Sequence, residues 1–72
     1  MKYTVESVNS LGKKANVFLD DVQFYYVIEA DTDLGYIDFY PREDNGDFRF
    51  ANDEELLVER KFGKVRVDIF DK

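Results

Sequence analysis

Apolar and polar residues alternate along most of this chain, and a period of two is typical of β-strands that turn one face toward a core. The runs are short and are separated by turn-forming residues, so the sequence predicts an all-β domain of six or seven antiparallel strands. Strands that follow one another through tight turns form a meander, which would close as a small barrel or a small sandwich. The first run covers residues 2–9.

A two-residue turn at Asp20-Asp21 predicts the sharpest hairpin, because it places apolar residues opposite one another on one face. The opposed pairs are Leu19 with Val22, Val17 with Phe24, and Ala15 with Tyr26. The second strand of this hairpin is predicted to continue to residue 30. Both of its faces carry apolar residues, which indicates a central position.

Two further turns are predicted in the middle of the chain, each from its local chemistry. Residues 31–35 combine Asp and Gly, and residues 44–47 contain Asn45-Gly46, a strong hairpin signal. Return strands are expected at residues 36–40 and 48–50. We interpret Pro41, Lys61 and Lys64 as protection of sheet edges.

A last hairpin is predicted around Phe62-Gly63, since that turn again sorts apolar from charged positions. The opposed pairs are Leu56 with Ile69, Val58 with Val67, and Glu59 with Arg66. Asn52 precedes Glu55 by three residues, as in a capping box, so one helical turn near residues 52–56 remains an open alternative.

Composition narrows the possible functions. The 72 residues make a single domain, and they include no Cys and no His, which excludes disulfides, zinc ligands of nitrogen or sulfur, and catalysis by these residues. The chain lacks the pattern of a signal peptide and any apolar run long enough to span a membrane, so a cytoplasmic location is expected. A net charge of −6 argues against binding to nucleic-acid phosphates.

We predict no enzymatic activity and no catalytic, cofactor-binding or metal-binding residue. Without His and Cys, a general base would have to be a carboxylate, a Lys or a Tyr, and the carboxylates lie mostly in predicted turns. Residues 31–35 resemble the start of a calcium loop but lack its closing Glu, so we interpret them as a structural turn.

The candidate binding residues are aromatic residues on the predicted outer face and acidic residues in nearby turns. They are Tyr25, Tyr36, Tyr40, Asp31, Asp33, Asp44 and Asp47. An exposed Tyr-rich patch would suit a protein partner. The alternative is structural, because both faces of a tightly curled sheet can be partly buried.

Three short stretches carry a family resemblance. They are Leu19-Asp20-Asp21-Val22, Ala30-Asp31 with Gly35-Tyr36-Ile37, and Gly63-Lys64-Val65-Arg66-Val67. Together they span residues 19–67, and this segment resembles small phage and prophage accessory proteins of unassigned role. Asp21 stands where that pattern often has Gly. The resemblance implies a viral origin, with the protein in the host cytoplasm or incorporated in a virion.

Two functions are therefore expected from the sequence. The first is a non-enzymatic phage-type accessory protein that binds another protein, as a virion-associated structural or decoration module. The second is an acidic inhibitor of a host nucleic-acid enzyme, of the anti-restriction or anti-CRISPR type. The partner of the inhibitor would be a basic host enzyme. The partner of the structural module would be a phage structural protein. Neither requires a cofactor, a membrane or direct contact with nucleic acid.

Overall fold

The structure, a computed structural model, describes residues 1–71 and is built mainly from β-strands. The strands are β1 (Lys2–Thr4), β2 (Lys13–Leu19), β3 (Val22–Phe24), β4 (Val27–Asp31), β5 (Tyr36–Phe39), β6 (Glu59–Phe62) and β7 (Val65–Asp71), and α1 (Val5–Ser10) is a short helix. This confirms the predicted antiparallel all-β class. The strands form two sheets and do not close into a barrel.

The two sheets face each other across one hydrophobic core. Sheet A has the order β1-β4-β5-β6 and sheet B the order β3-β2-β7. The buried core comes from both sheets and consists of Val17, Leu19, Ala30, Ile37, Phe39 and Val65. Because each sheet offers only one apolar face, packing the two faces together removes both from water.

The predicted hairpin at Asp20-Asp21 is present with the expected register. Leu19 pairs with Val22 and Val17 with Phe24. Asp20 and Asp21 have φ values of 49° and 66°. Two consecutive residues with positive φ match the turn that suits the right-handed twist of a two-residue hairpin, and Asp tolerates this region better than most residues.

The long strand predicted after this turn is wrong, because the chain changes sheets at Tyr25-Tyr26. Tyr26 has a φ of 60°, which ends β3 and directs β4 into sheet A. The expected pair of Ala15 with Tyr26 is therefore absent, and Ala15 pairs with Ile69 instead.

The predicted hairpin at Phe62-Gly63 is also wrong, since its two strands lie in different sheets. β6 pairs with β5 and β7 pairs with β2, so the expected pairs of Leu56, Val58 and Glu59 with β7 do not form. The observed register sets Val65 opposite Leu19 and Val67 opposite Val17. These apolar pairs extend the core that β2 already contributes.

The N-terminal run is a strand only as far as Thr4, and α1 follows directly. The Thr4 hydroxyl accepts a hydrogen bond from the Ser7 backbone N–H, and the Ser7 hydroxyl accepts one from the Thr4 N–H, both at 3.0 Å. This reciprocal cap satisfies two backbone donors that the first helical turn leaves free. Ser7 takes the place of the usual Glu or Gln.

The segment between β5 and β6 is mostly irregular and contains no helical turn near residues 52–56. The Asn52 side chain instead holds a bend by accepting hydrogen bonds from the N–H groups of Glu54 and Glu55, at 2.9 and 3.0 Å. The predicted strand at residues 48–50 is reduced to isolated bridges, Arg42 with Phe48 and Phe50 with Leu56. The turn at Asn45-Gly46 is present.

We predict that Ile37→Ala strongly destabilises the domain, because Ile37 is fully buried between the sheets. Removing buried methylene groups and leaving a cavity costs about 2–5 kcal/mol in the free energy of unfolding. Urea unfolding followed by circular dichroism measures this loss. Leu34→Ala, at a turn residue that is 74% exposed, is the matched control and should change stability by less than about 0.5 kcal/mol. Equal effects of the two substitutions would contradict the assignment of the core.

Candidate binding cleft

The three predicted tyrosines occupy three different environments. Tyr25 is 65% exposed, Tyr40 is half-buried, and Tyr36 is only 6% exposed. The prediction of one exposed Tyr-rich face is therefore wrong for Tyr36. It fails because a cationic side chain of the neighbouring strand covers that part of sheet A.

Tyr36 belongs to a polar network on the outer side of sheet A. Its hydroxyl donates a hydrogen bond to Glu29 at 2.6 Å, which together with burial raises the pKa of Tyr36. The Arg60 guanidinium lies 4.0 Å from the Tyr36 ring centre and binds both oxygens of Asp38, at 2.7 and 3.0 Å. Lys2 adds a contact to Glu29 at 3.4 Å. The network joins all four strands of the sheet.

The four predicted acidic residues lie at opposite ends of sheet A. Asp31 and Asp33 precede β5, whereas Asp44 and Asp47 follow it, so they do not form one patch with the tyrosines. Asp33 contacts the N-terminal amino group of Met1. Asp44 and Asp47 are exposed. The Asp47 N–H donates a hydrogen bond to the Asn45 side-chain oxygen within the same turn.

Asp31 is a structural residue. It is 8% exposed, and its carboxylate accepts hydrogen bonds from the N–H groups of Leu34 and Asp33, each at 2.9 Å. The bond from Leu34 is the main cause that lowers the pKa of Asp31, in opposition to burial. This carboxylate fixes the β4–β5 turn and is not available to a partner.

A cleft of about 330 Å³ opens where α1 and β4 face sheet B. Its lining is mainly apolar and includes Val5, Val8, Tyr25, Tyr26, Val67 and Phe70. Four of these large side chains remain exposed, Val5 at 47%, Tyr25 at 65%, Tyr26 at 49% and Phe70 at 43%. A second depression, between β3 and β6, is more open and is lined by Val22, Phe24 and Phe62 as well as by the charged residues Asp20, Arg60 and Lys61. The cleft beside α1 is the more enclosed of the two and is the candidate binding site.

Backbone features that the sequence pattern did not reveal create the mouth of the cleft. The Thr4 cap starts α1 directly after β1, so Val8 is buried while Val5 stays at the opening. On the other side, the positive φ of Tyr26 turns the chain between the sheets and leaves Tyr25 exposed.

An aromatic cluster supports Tyr26 from outside the cleft. The Phe48 ring packs edge-on against Tyr26 with 4.9 Å between ring centres, and Tyr40 packs against Phe48 at 6.2 Å. The Arg42 guanidinium lies 4.9 Å from the Tyr26 ring centre and donates a hydrogen bond to its hydroxyl at 3.3 Å. The irregular segment after β5 therefore holds one wall of the cleft.

The cleft lining also contains polar residues, namely Thr4, Asn9, Lys14, Asn16, Gln23 and Glu29. Gln23 donates to the Asn16 side chain at 3.3 Å, and both residues lie along the lining. Within residues 1–71, no group of three or more acidic, His or Cys residues is arranged to hold a metal ion. Among the described helices, none is long and apolar enough to cross a membrane. The cleft is therefore suited to apolar contact with a few hydrogen bonds at its rim.

Comparison of the chain with models of protein families, with characterised proteins and with solved structures gave no significant match.

Of the predicted binding residues, only Tyr25 lines the cleft. The others at its mouth, Val5, Tyr26 and Phe70, were missed because α1 and the change of sheet at Tyr26 were not predicted. The sequence did contain a signal for α1. Val5 and Val8 are three residues apart, as on one face of a helix, and Thr4 and Ser7 can cap its first turn.

We predict that Asp31→Asn destabilises the domain near neutral pH and has a smaller effect in acid. A carboxylate whose pKa is lowered by folding stabilises the protein above its ordinary value of 3.8, and this contribution is lost as the pH falls through the lower folded-state value. Melting temperatures of wild type and variant should therefore differ at about pH 7 and converge at about pH 2. Asp44→Asn, at an exposed turn position, should leave the melting temperature unchanged at both pH values. A difference that is independent of pH would contradict the role of the charge.

Proposed function

We propose that this protein is a non-enzymatic binding module that accepts an apolar side chain of another protein in the cleft. The observation that carries the proposal is the concentration of exposed Tyr25, Tyr26, Val5 and Phe70 around one opening. A patch of large apolar side chains at the surface lowers solubility, and such patches often mark sites that bind another protein. Aromatic residues supply much of the binding energy at protein interfaces.

The proposed partner is a segment with one large aliphatic or aromatic residue flanked by Lys or Arg. The apolar residue matches the cleft, whose volume of about 330 Å³ exceeds that of one side chain. The basic flanks match the net charge of −6, which attracts cationic partners over long range.

The absence of catalysis is part of the proposal. The chain has no His and no Cys. The groups with shifted pKa values, Asp31, Tyr36 and Arg60, each owe the shift to a hydrogen bond that maintains the fold. None of these three residues lines the cleft, and Glu29, which does, accepts the Tyr36 hydroxyl as part of the polar network of sheet A.

We place this module among phage-type accessory proteins, as a virion-associated structural or decoration module made in the host cytoplasm. This proposal is supported by the resemblance of residues 19–67 to such proteins. It is also supported by the small size of the domain and by its apolar cleft. A capsid or tail protein would be the partner in this setting.

The ion pairs argue against the alternative of an acidic inhibitor of a host nucleic-acid enzyme. Such an inhibitor needs free carboxylates spaced like phosphates along one side. Here six of the sixteen Asp and Glu residues are paired within the chain, namely Glu29, Asp33, Asp38, Glu43, Asp68 and Asp71. Asp44 and Asp47, at the other end of sheet A from Asp31 and Asp33, do not extend into a ladder.

We expect a display library of random peptides, selected on the immobilised protein, to yield peptides with one large apolar residue next to Lys or Arg. Tyr25→Ala should weaken the binding of a selected peptide by about tenfold or more, since it removes an aromatic contact at the mouth of the cleft. Leu34→Ala removes an equally exposed apolar group elsewhere and should leave the affinity unchanged. Fluorescence titration measures the affinity of the selected peptide for the wild type and for both variants. Peptides that bind Tyr25→Ala as tightly as wild type would contradict the proposed site.

The phage setting is tested separately by affinity capture from infected and uninfected cells, followed by mass spectrometry. We expect capture of a capsid or tail protein that depends on Tyr25. Tyr25-dependent capture of a host nuclease would replace the structural role with the inhibitory one while leaving the cleft as the binding site.

A further inference from the structure

Of the strands that the structure describes, β7 presents the longest edge that is not paired within a sheet. β7 has seven residues, whereas the other edge strands β1, β3 and β6 have three, three and four. Its pairing with β2 is continuous, with no bulge and no Pro. Among residues 1–71, no hydrogen bond other than those to β2 reaches the backbone of residues 65–71. A long, regular edge of this kind is a template for another strand.

The backbone groups that point outward can be assigned from one hydrogen bond. The Asp20 N–H donates to the Lys64 carbonyl at 2.9 Å, so Lys64 faces β2. Because this orientation alternates in an antiparallel pair, Arg66, Asp68 and Phe70 also face β2. The residues whose N–H and C=O groups point away from β2 are Val65, Val67, Ile69 and Asp71.

The side chains of β7 favour a second copy of the same strand over an unrelated one. Arg66 and Asp68 are two residues apart on one face of the sheet, both about half exposed, and within one copy they form a loose ion pair at 3.7 Å, which pairing of two copies exchanges for contacts across the interface. In an antiparallel pair of two β7 strands with Val67 on the twofold axis, Arg66 lies opposite Asp68 of the second copy, and Val65 lies opposite Ile69. Moving the axis by one residue sets Arg66 against Arg66 or Asp68 against Asp68, which is unfavourable.

We propose that two copies of this chain associate through antiparallel pairing of their β7 strands, with Val67 on the twofold axis. The outward N–H and C=O groups of Val65, Val67 and Ile69 then bond across the interface. Two Arg66–Asp68 pairs form between the copies, and the two B sheets become one sheet of six strands in the order β3-β2-β7-β7-β2-β3. Self-association of this kind does not depend on the proposed partner of the cleft.

Charge reversal at the two paired positions tests the register. Sedimentation velocity over a range of concentrations should show a monomer–dimer equilibrium for the wild type. Arg66→Asp and Asp68→Arg should each remove the dimer, because each sets like charges opposite one another. The double variant R66D/D68R restores opposite charges across the axis and should dimerise again. Asp53→Arg, a reversal at an exposed bend, changes the net charge as Asp68→Arg does and should still dimerise.

Mixing the two single variants separates a lost interface from a lost fold. Arg66→Asp carries two acidic residues at the interface and Asp68→Arg carries two basic ones, so an equimolar mixture should form heterodimers although neither variant forms homodimers. Far-UV circular dichroism confirms that both are folded. A wild type that stays monomeric at every concentration, or a dimer that persists unchanged in both single variants, would overturn the proposal.

Discussion

The two sheets are joined at a corner where three turns meet around Gly63. The Gly63 N–H donates to the Gly35 carbonyl at 3.0 Å, and a Cβ on Gly35 would lie 2.8 Å from the Gly63 carbonyl oxygen. A Cβ on Gly63 would lie 2.6 Å from Oδ2 of Asp20 and 3.0 Å from its Oδ1, and Oδ1 accepts a hydrogen bond from the Lys64 N–H at 2.9 Å. No larger side chain fits either glycine position without displacing backbone or this bond. The corner therefore fixes where β6 ends in one sheet and β7 begins in the other.

The apolar residues of β7 become more exposed with distance from this corner, toward the cleft. Along β7 the exposed fraction rises from 9% at Val65 to 40% at Ile69 and 43% at Phe70. Leu19, which pairs with Val65, is buried, whereas the other end of β2 lines the cleft. The short α1 covers part of the gap by burying Val8, but its six residues are too few to fill the gap. A domain this small cannot cover all of its apolar surface, and part of what stays uncovered, Val5, Tyr25, Tyr26 and Phe70, surrounds the cleft.

Local turn chemistry predicted the hairpins at Asp20-Asp21 and at residues 31–35, but it did not predict which strands pair with β6 and β7. Asp20-Asp21 and the Asp31–Gly35 loop depend on neighbouring residues, so the pattern alone identifies them. The alternation of apolar residues in β7 is equally compatible with β2 and β6, and only the long-range contact with Val17 and Leu19 decides between them. Tyr36 illustrates the same limit at a single position, since Arg60 from a neighbouring strand determines that its ring is covered. The cleft was unpredictable for this reason, because its walls come from segments far apart in the chain.

β7 links the two proposed interactions, because Phe70 lines the cleft while the opposite edge of the same strand pairs with a second copy. Pairing would add hydrogen bonds at Val67 and Ile69, next to Phe70, and so order the wall of the cleft before a partner arrives. Less conformational freedom would then be lost on binding, which favours affinity. The twofold axis would also hold two clefts at a fixed separation. A partner that repeats the same segment, as the subunits of a symmetric particle do, would be bound at both sites at once, and avidity would compensate for a cleft that contacts only one side chain.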